Sequence, residues 1–531
     1  MEAEIIEEDK SRLYWILSNI RSGFKKSLKR AFKNKPIVSI LIVLVLLYVL
    51  FVSRGVFQPG VLFIRKYFLL ISIICVLLYW FTKGWYKRSV KGKILSSVFL
   101  IVFTSLSWIL GEGIYKYFSL YFHYTTIEKI SLDEIPSTGF ERIQPINSVK
   151  TLINQEALSE TEDATTPRFV RGKDGRYYYS CALGPSREYK IQQMTKNMYE
   201  LIHIPADLPS PVFSKKYRDI VNFDVGELLL FSKESSNAVI KRFNLLQYIN
   251  YEPSEPIFLE NEIGEWMQVV PLVRWKGILF PRPVFGGVMI IDELGENDYA
   301  INRILFGKGK YLDKTKISNT PELVGQSLLP KKVATFIAES FRFTNGFLSP
   351  LPMYHEGDIR IPVLSNNVDP QPFTTYFKIN NTGKLYNFFG LEPYQDNKKG
   401  LSLSLLIPGD DDSKVYYVDH RKSSENYIGS SAISAKIIES KKNYDWSKNY
   451  PAESRPFVRI VEGKSRFFWL STIVTKAGEN KGEYIGGSIP EITLTDAQHG
   501  KVVWINQDSL INNESWILQA RKEMKSYWEK E

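Results

Sequence analysis

Few residues in this chain are spaced for bond-making chemistry. No Gly-x-Ser-x-Gly elbow, phosphate-cradling Gly-x-x-x-x-Gly-Lys-Ser/Thr loop or His-Glu-x-x-His pair occurs. His123, His203, His355, His420 and His499 are scattered, and no two stand at ligand spacing. Cys75 and Cys181 are the only thiols. Two cysteines make neither a disulfide framework nor a four-thiolate zinc site. Cys181 has no evident activating base, so a small buried strand side chain is expected there rather than a nucleophile. Asp410-Asp411-Asp412 clusters oxygens as calcium prefers, but no Glu follows at loop spacing, and a solvated hairpin tip is expected. Asp292 and Asp496 would suggest glycoside hydrolysis if they met as a pair. Their matched positions in two separate repeats point instead to turn residues whose side chains bond their own backbone. No catalytic residue, metal or cofactor is expected.

One segment has the make-up of a binding element. Phe280-Pro281-Arg282-Pro283 is an extended loop held by two prolines, with Trp275, Ile278, Leu279 and Phe285 around it. Rigid aromatics beside an arginine are typical of interface centres. Trp275, Phe280, Arg282 and Phe285 are therefore the candidate binding residues. The competing expectation is a loop packed over its own sheet or a neighbouring module.

The elements that carry these residues follow from charge and hydropathy. The 531 residues carry a formal charge of +11 and are 44% apolar. That apolar fraction excludes a mostly disordered chain. The charge is uneven: residues 1–93 sum to +12, and the rest to −1. A nucleic-acid footprint would put the surplus on the folded part, so no nucleic-acid partner is expected. The basic part also holds three apolar runs, Ile37–Ser53, Tyr67–Thr82 and Ile94–Leu110, each near the lower limit of roughly 17–25 residues for a spanning helix. Between Asp9 and Glu112 there is no acid. Three transmembrane helices are expected, with Arg65 and Lys66 snorkelling to the interface. Basic residues cluster before the first run and between the second and third, which predicts a cytoplasmic N-terminus and an extracytoplasmic C-terminal part. Before the first run, Ile16, Ile20, Phe24, Leu28 and Phe32 recur every four residues among basic side chains. That spacing predicts an amphipathic basic helix ending at Pro36, suited to an anionic leaflet or serving only as a topology signal. Gly111 to Tyr124 reads as an interfacial aromatic belt.

Beyond a polar linker at Val149–Thr166, two stretches repeat. In the first, a helix at Val239–Ile249 precedes strands at Pro256–Glu260 and Trp266–Val273, a turn at Ile263-Gly264, then Gly286-Gly287 and Val288–Asp292. In the second, a helix at Ala432–Ser440 precedes Phe457–Val461, Glu462-Gly463, Phe467–Val474, Gly486-Gly487 and Ile492–Asp496. The Gly-Gly pairs are 200 residues apart. Weaker copies centre on turns at Asp174-Gly175 and Thr382-Gly383, the latter with a helix at Lys331–Phe343. A final helix spans Glu514–Glu531. Fixed-order repetition marks duplicated units, and a helix across a small antiparallel sheet buries a face neither could bury alone.

The stretch Thr495-Asp496-Ala497-Gln498-His499-Gly500-Lys501-Val502-Val503, and more weakly Ile291-Asp292-Glu293-Leu294-Gly295, resembles the PepSY family over about a third of the chain. The resemblance implies extracytoplasmic binding or inhibitory modules. The long insertions Arg274–Phe285 and Lys476–Ile485 depart from a compact module of that kind.

The expected fold class is α+β: N-terminal transmembrane helices, then tandem helix-on-antiparallel-sheet modules. The expected organisation is a cytoplasmic basic segment (1–36), a membrane domain (37–125), and four modules at 126–235, 236–330, 331–425 and 426–531, the second and fourth PepSY-like and the last carrying the C-terminal helix. The function expected is a multi-pass, membrane-anchored, non-enzymatic binding or scaffold protein. Its partners would be membrane lipid and another membrane or envelope protein. The alternatives are a cell-envelope enzyme with a site assembled between modules, or a structural subunit of a larger membrane complex.

Overall fold

The computed structural model describes residues 36–85, 90–139, 142–154, 159–207, 217–295, 298–349, 354–362, 371–395, 397–423, 426–480, 483–486, 489–506 and 516–529. Gly487 and the predicted basic helix before Pro36 lie outside them. The chain divides into two compact units, Met1–Phe57 and Gln58–Glu531.

The first unit contains α1 (Pro36–Val52), apolar all round, with every side chain from Ile40 to Phe51 exposed. The second begins inside α2 (Arg54–Lys66) and continues with α3 (Phe68–Trp85) and α4 (Val90–Thr126). Among the described residues no single helix is long and apolar enough to cross a membrane; Ile40–Val52 and Arg54–Lys66 pass only together, as a bent pair. The 17 residues of α1 reach about 26 Å, short of a hydrocarbon core of about 30 Å.

The rest of the chain is a mixed α+β fold with four sheets. After α4 comes β1 (Glu128–Ser131), then α5 (Ile146–Leu152). In the first sheet, β2 (Glu162–Ala164) and β3 (Arg168–Arg171) share β4 (Tyr177–Pro185), followed by β5 (Met198–Pro205) and β6 (Arg218–Phe223), with α6 (Lys190–Thr195) between β4 and β5. Next come α7 (Ser235–Arg242) and α8 (Leu245–Asn250). One helix was expected over Val239–Ile249. It is split because Asn244 forms a capping box with Gln247 and starts a new helix.

In the second sheet, β7 (Tyr251–Pro253) and β8 (Ile257–Glu260) share β9 (Trp266–Lys276), which pairs with β10 (Arg282–Asp292). Beyond α9 (Ala300–Phe306), β11 (Lys310–Leu312) completes it, followed by α10 (Lys314–Ile317) and α11 (Lys331–Ser340). The third sheet repeats this order: β12 (Ile359–Arg360) and β13 (Phe373–Ile379) on β14 (Thr382–Pro393), then β15 (Leu403–Pro408) and β16 (Lys414–Asp419). β1 pairs parallel with β16, so Glu128–Ser131 belongs to this sheet and not to the one that follows it in sequence. After α12 (Ser430–Ser440), the fourth sheet runs β17 (Asn449–Val461), β18 (Lys464–Asn480), β20 (Glu491–Asp496) and β21 (Val502–Asn506), with β19 (Glu483–Gly486) also on β18. α13 (Trp516–Glu529) closes the chain.

The hairpin turns show why the strands register as they do. Gly175, Gly264 and Gly463 take positive φ at three of the four Gly-containing turns expected. The fourth turn is displaced by two residues. Asn380 and Asn381 carry the positive φ angles and Thr382 is already paired with Ile379. Asparagine tolerates that conformation, so it pre-empts the glycine. The segment Arg274–Phe285, read as an insertion, is largely hairpin: Arg282 pairs with Lys276 and Phe285 with Val273. At the bulge between Phe285 and Val288, Gly287 has φ +91°, and a Cβ there would sit 2.3 Å from the Leu312 carbonyl oxygen.

Neighbouring sheets share cores. α11 places Val333, Ala334 and Ile337 among Val273 and Phe285 of the second sheet and Phe389 and Leu405 of the third. Trp469 and Val458 of the fourth sheet meet Phe377 and Phe388 of the third. The expected polar linker also contributes: Val149 and Ile153 are fully buried beside Tyr179 and Cys181. Trp516, Ala520 and Met524 of α13 are buried against the fourth sheet.

Candidate functional site

Two places gather side chains from distant parts of the sequence. The first is the tip of the β9–β10 hairpin. Gly277, at φ +99°, turns the chain, and Phe280 stacks on Phe118 of α4 at 5.1 Å between ring centres, with Phe122 at 5.7 Å. Arg282 donates to the Phe122 carbonyl at 2.9 Å, and Tyr115 donates its hydroxyl to the Pro281 carbonyl at 3.1 Å. Trp275 is buried and donates to Glu252 at 2.9 Å, with the Lys66 ammonium 3.9 Å from its ring centre. Phe285 is also buried; its backbone N–H donates to Asp412 at 2.6 Å. Phe280 and Arg282 thus meet each other's neighbours on α4, while Trp275 faces α2 and Phe285 lies inside.

The partners reach further along α2 and α4. Gln58 donates to the Tyr248 carbonyl, Arg65 to Asn250, and Lys66 to Glu252 at 3.3 Å. Arg65 and Lys66, expected to snorkel, are instead taken up by the second sheet and its α8 approach. Lys332 of α11 adds a second cation to Glu252 at 2.8 Å. Burial alone would raise the Glu252 carboxyl; Lys332, Lys66 and the Trp275 indole outweigh it and hold it below the usual range. Tyr117 and Tyr121, expected in an interfacial belt, pack on Phe343 and Phe347. A half-buried ring of this kind is worth about 1–2 kcal/mol. Phe280→Ala should therefore lower stability by that amount and raise protease cleavage between Gly277 and Pro281, which limited proteolysis of the full chain would register.

The second place is a cleft of about 780 Å³ between the first and second sheets. His203 on β5 lies flat on Trp266 at the start of β9, ring centres 4.2 Å apart and planes 8° apart. Its Nε2 is 3.8 Å from Asp219 on β6, too long for a hydrogen bond. Burial pushes the imidazole down to about 4, so it is neutral at pH 7. Burial, with Glu260 nearby, pushes the Asp219 carboxyl up. Tyr178, Tyr217 and Phe258 complete an aromatic floor. Sequence reading missed this cleft. Its walls come from strands whose partners are set only by how two sheets abut. The one local signal was Trp266 opening an apolar strand next to an acidic turn.

Asp292 ends β10 and is exposed. Cys181 is fully buried on β4, and burial pushes its thiol up to about 12. Asp496 accepts from the backbone N–H of Gln498 at 2.8 Å, the turn bond expected, and also takes His499 and the Tyr527 hydroxyl. Asp412 overturns the solvated-tip expectation. It is 5% exposed and bonds Phe285 and Lys314, fastening the third sheet to the second. Among the described residues no His, Cys, Asp or Glu group could hold a metal ion. No family model, curated protein or solved structure matches the chain.

Glu227 adds a titration. Burial pushes its carboxyl up to about 7; Arg168 opposes this and Glu255 adds to it. A raised folded pKa contributes stability below the ordinary value of 4.5 that is lost as pH rises toward 7. Glu227→Gln should thus flatten stability between those pH values and stabilise the fold at pH 8 by about 2–3 kcal/mol. Urea unfolding of both forms at pH 5 and pH 8 would show it.

Proposed function

We propose that this chain is a membrane-anchored, non-enzymatic binding protein that holds a partner protein at its cleft, away from the bilayer. The observation that carries this reading is the placement along β9. Trp275 at one end meets α2, and Trp266 at the other lines the cleft. Nine residues of strand separate them by about 30 Å. Membrane anchorage is supported by the uncovered apolar faces: Ile40 to Phe51 on α1, Ile73 and Val76 on α3, and Ile101 and Val102 on α4 are all exposed. In this reading α1, α3 and the first part of α4 sit in lipid, the N-terminus is cytoplasmic, and the four sheets, the second and fourth read as PepSY-like modules, lie outside. The hairpin tip then fixes those sheets to the anchor.

Orientation is tested by labelling. Cys181 is buried and silent, so Tyr299→Cys, at a position 65% exposed, in a Cys75→Ser background gives one reporter. It should react with a membrane-impermeant maleimide in intact cells; protection until lysis would reverse the topology. Cross-linking in native membranes should capture a protein partner, and recovery of none would remove the binding reading.

A second reading, an envelope enzyme, is favoured by the His203–Asp219 pair. Against it, an imidazole held near 4 is a weak base at pH 7. Among the described residues, the cleft lining contains no Ser, Thr or Cys.

A further inference from the structure

The charged groups that line the cleft are mostly carboxylates. Asp174, Asp219, Glu260, Glu262 and Glu322 line it against Arg171 and Lys173, which leaves a formal charge of −3. Lys173 is committed to the wall: it donates to the Glu262 carbonyl at 3.0 Å and lies 3.7 Å from Glu260. The backbone of Arg171 is bracketed by Gln326. Asp219, Glu262 and Glu322 have no cation within ion-pair distance among the described residues; Asp219 meets only the neutral imidazole.

His203 supplies the independent observation. Its side chain is 12% exposed, and Nε2 is buried with no hydrogen-bond partner. An unpaired buried polar atom is destabilising. Asp219, its side chain half exposed with Oδ2 3.8 Å away, is the acceptor that a group entering the cleft can reach. Such a group carries N–H bonds and positive charge. The aromatic floor suits the same group, because a cation over a ring is attracted to it.

Building on the binding reading above, we propose that the cleft binds a lysine- or arginine-bearing segment of a partner polypeptide, with the cationic head against Asp219 and its stem along Trp266. Glu260 and Glu262 then flank the charge, and the cleft volume accommodates the neighbouring residues of the segment.

The test uses the full chain purified in detergent and fluorescein-labelled short peptides. A lysine/serine peptide should bind, and its glutamate/serine counterpart should not. Asp219→Asn with Glu260→Gln should weaken the lysine peptide about tenfold or more, and Trp266→Ala about three- to tenfold. Glu439→Gln, an exposed acid on α12, should leave affinity unchanged. Unaltered thermal unfolding of the cleft variants would keep these losses specific. Equal binding of both peptides, or lysine-peptide affinity indifferent to the cleft variants, would overturn the proposal. So would preference for an uncharged N-acetylglucosamine oligosaccharide. A partner captured in membranes equally by wild type and the cleft variants would end this inference while leaving the binding reading intact.

Discussion

Glu453→Ala is expected to destabilise the fold by about 3–5 kcal/mol, the usual loss when one member of a buried ionic cluster is removed. The Glu453 side chain is fully buried, at the bulge between Ala452 and Arg455 of β17. It meets the Arg142 guanidinium at 3.0 Å and that of Arg455 at 3.2 Å, both almost fully buried, and accepts the Ile146 backbone N–H at 2.9 Å. Arg142 donates onward to the Tyr179 hydroxyl of the first sheet at 2.7 Å, and Arg455 to the Ile143 carbonyl at 3.1 Å. One carboxylate is therefore shared by two cations that join the first and fourth sheets. Alanine leaves both charges in a dry interior. Urea unfolding of the full chain measures the loss, and a loss under 1 kcal/mol would mean water reaches the cluster. The double variant Arg142→Met, Glu453→Ala should lose less than the two single losses added.

Trp469→Ala is expected to cost a comparable 3–5 kcal/mol through the cavity it leaves. Trp469 is fully buried on β18, its ring 4.8 Å from Phe467 and 6.1 Å from Phe388 of the third sheet. Its indole N–H donates to the Ile428 carbonyl at 2.8 Å, just before α12. The substitution therefore empties the seam between two sheets and orphans a carbonyl that positions a helix. Trp469→Phe restores much of the volume and not the hydrogen bond, so it should fall between the two. If phenylalanine matched alanine, the hydrogen bond rather than the packing would dominate.

Both seams bear on how much of this fold was legible in advance. The hairpins were. Asp174-Gly175, Ile263-Gly264 and Glu462-Gly463 specify tight turns by local backbone preference, and the alternating strands beside them follow. The helix at Lys331–Phe343 was legible for the same reason, as α11 and a following 3-10 turn. The surroundings of the candidate loop were not: Phe280 and Arg282 pack on α4 of the same chain, contacts that no local spacing specifies. The cleft was not legible, because His203 and Trp266 lie 63 positions apart and carry no motif.

The sequence by itself determined the α+β class, the turns, and the segregation of +12 into the first 93 residues. These depend on neighbours a few positions away or on sums over a segment. Only the tertiary structure decided that Arg65 and Lys66 bind the second sheet, that Asp412 is a buried fastening, and that a carboxylate-lined cleft opens beside Trp266. Each is settled by which apolar faces are buried against which. That choice depends on shape and desolvation across the whole chain, which local spacing does not encode.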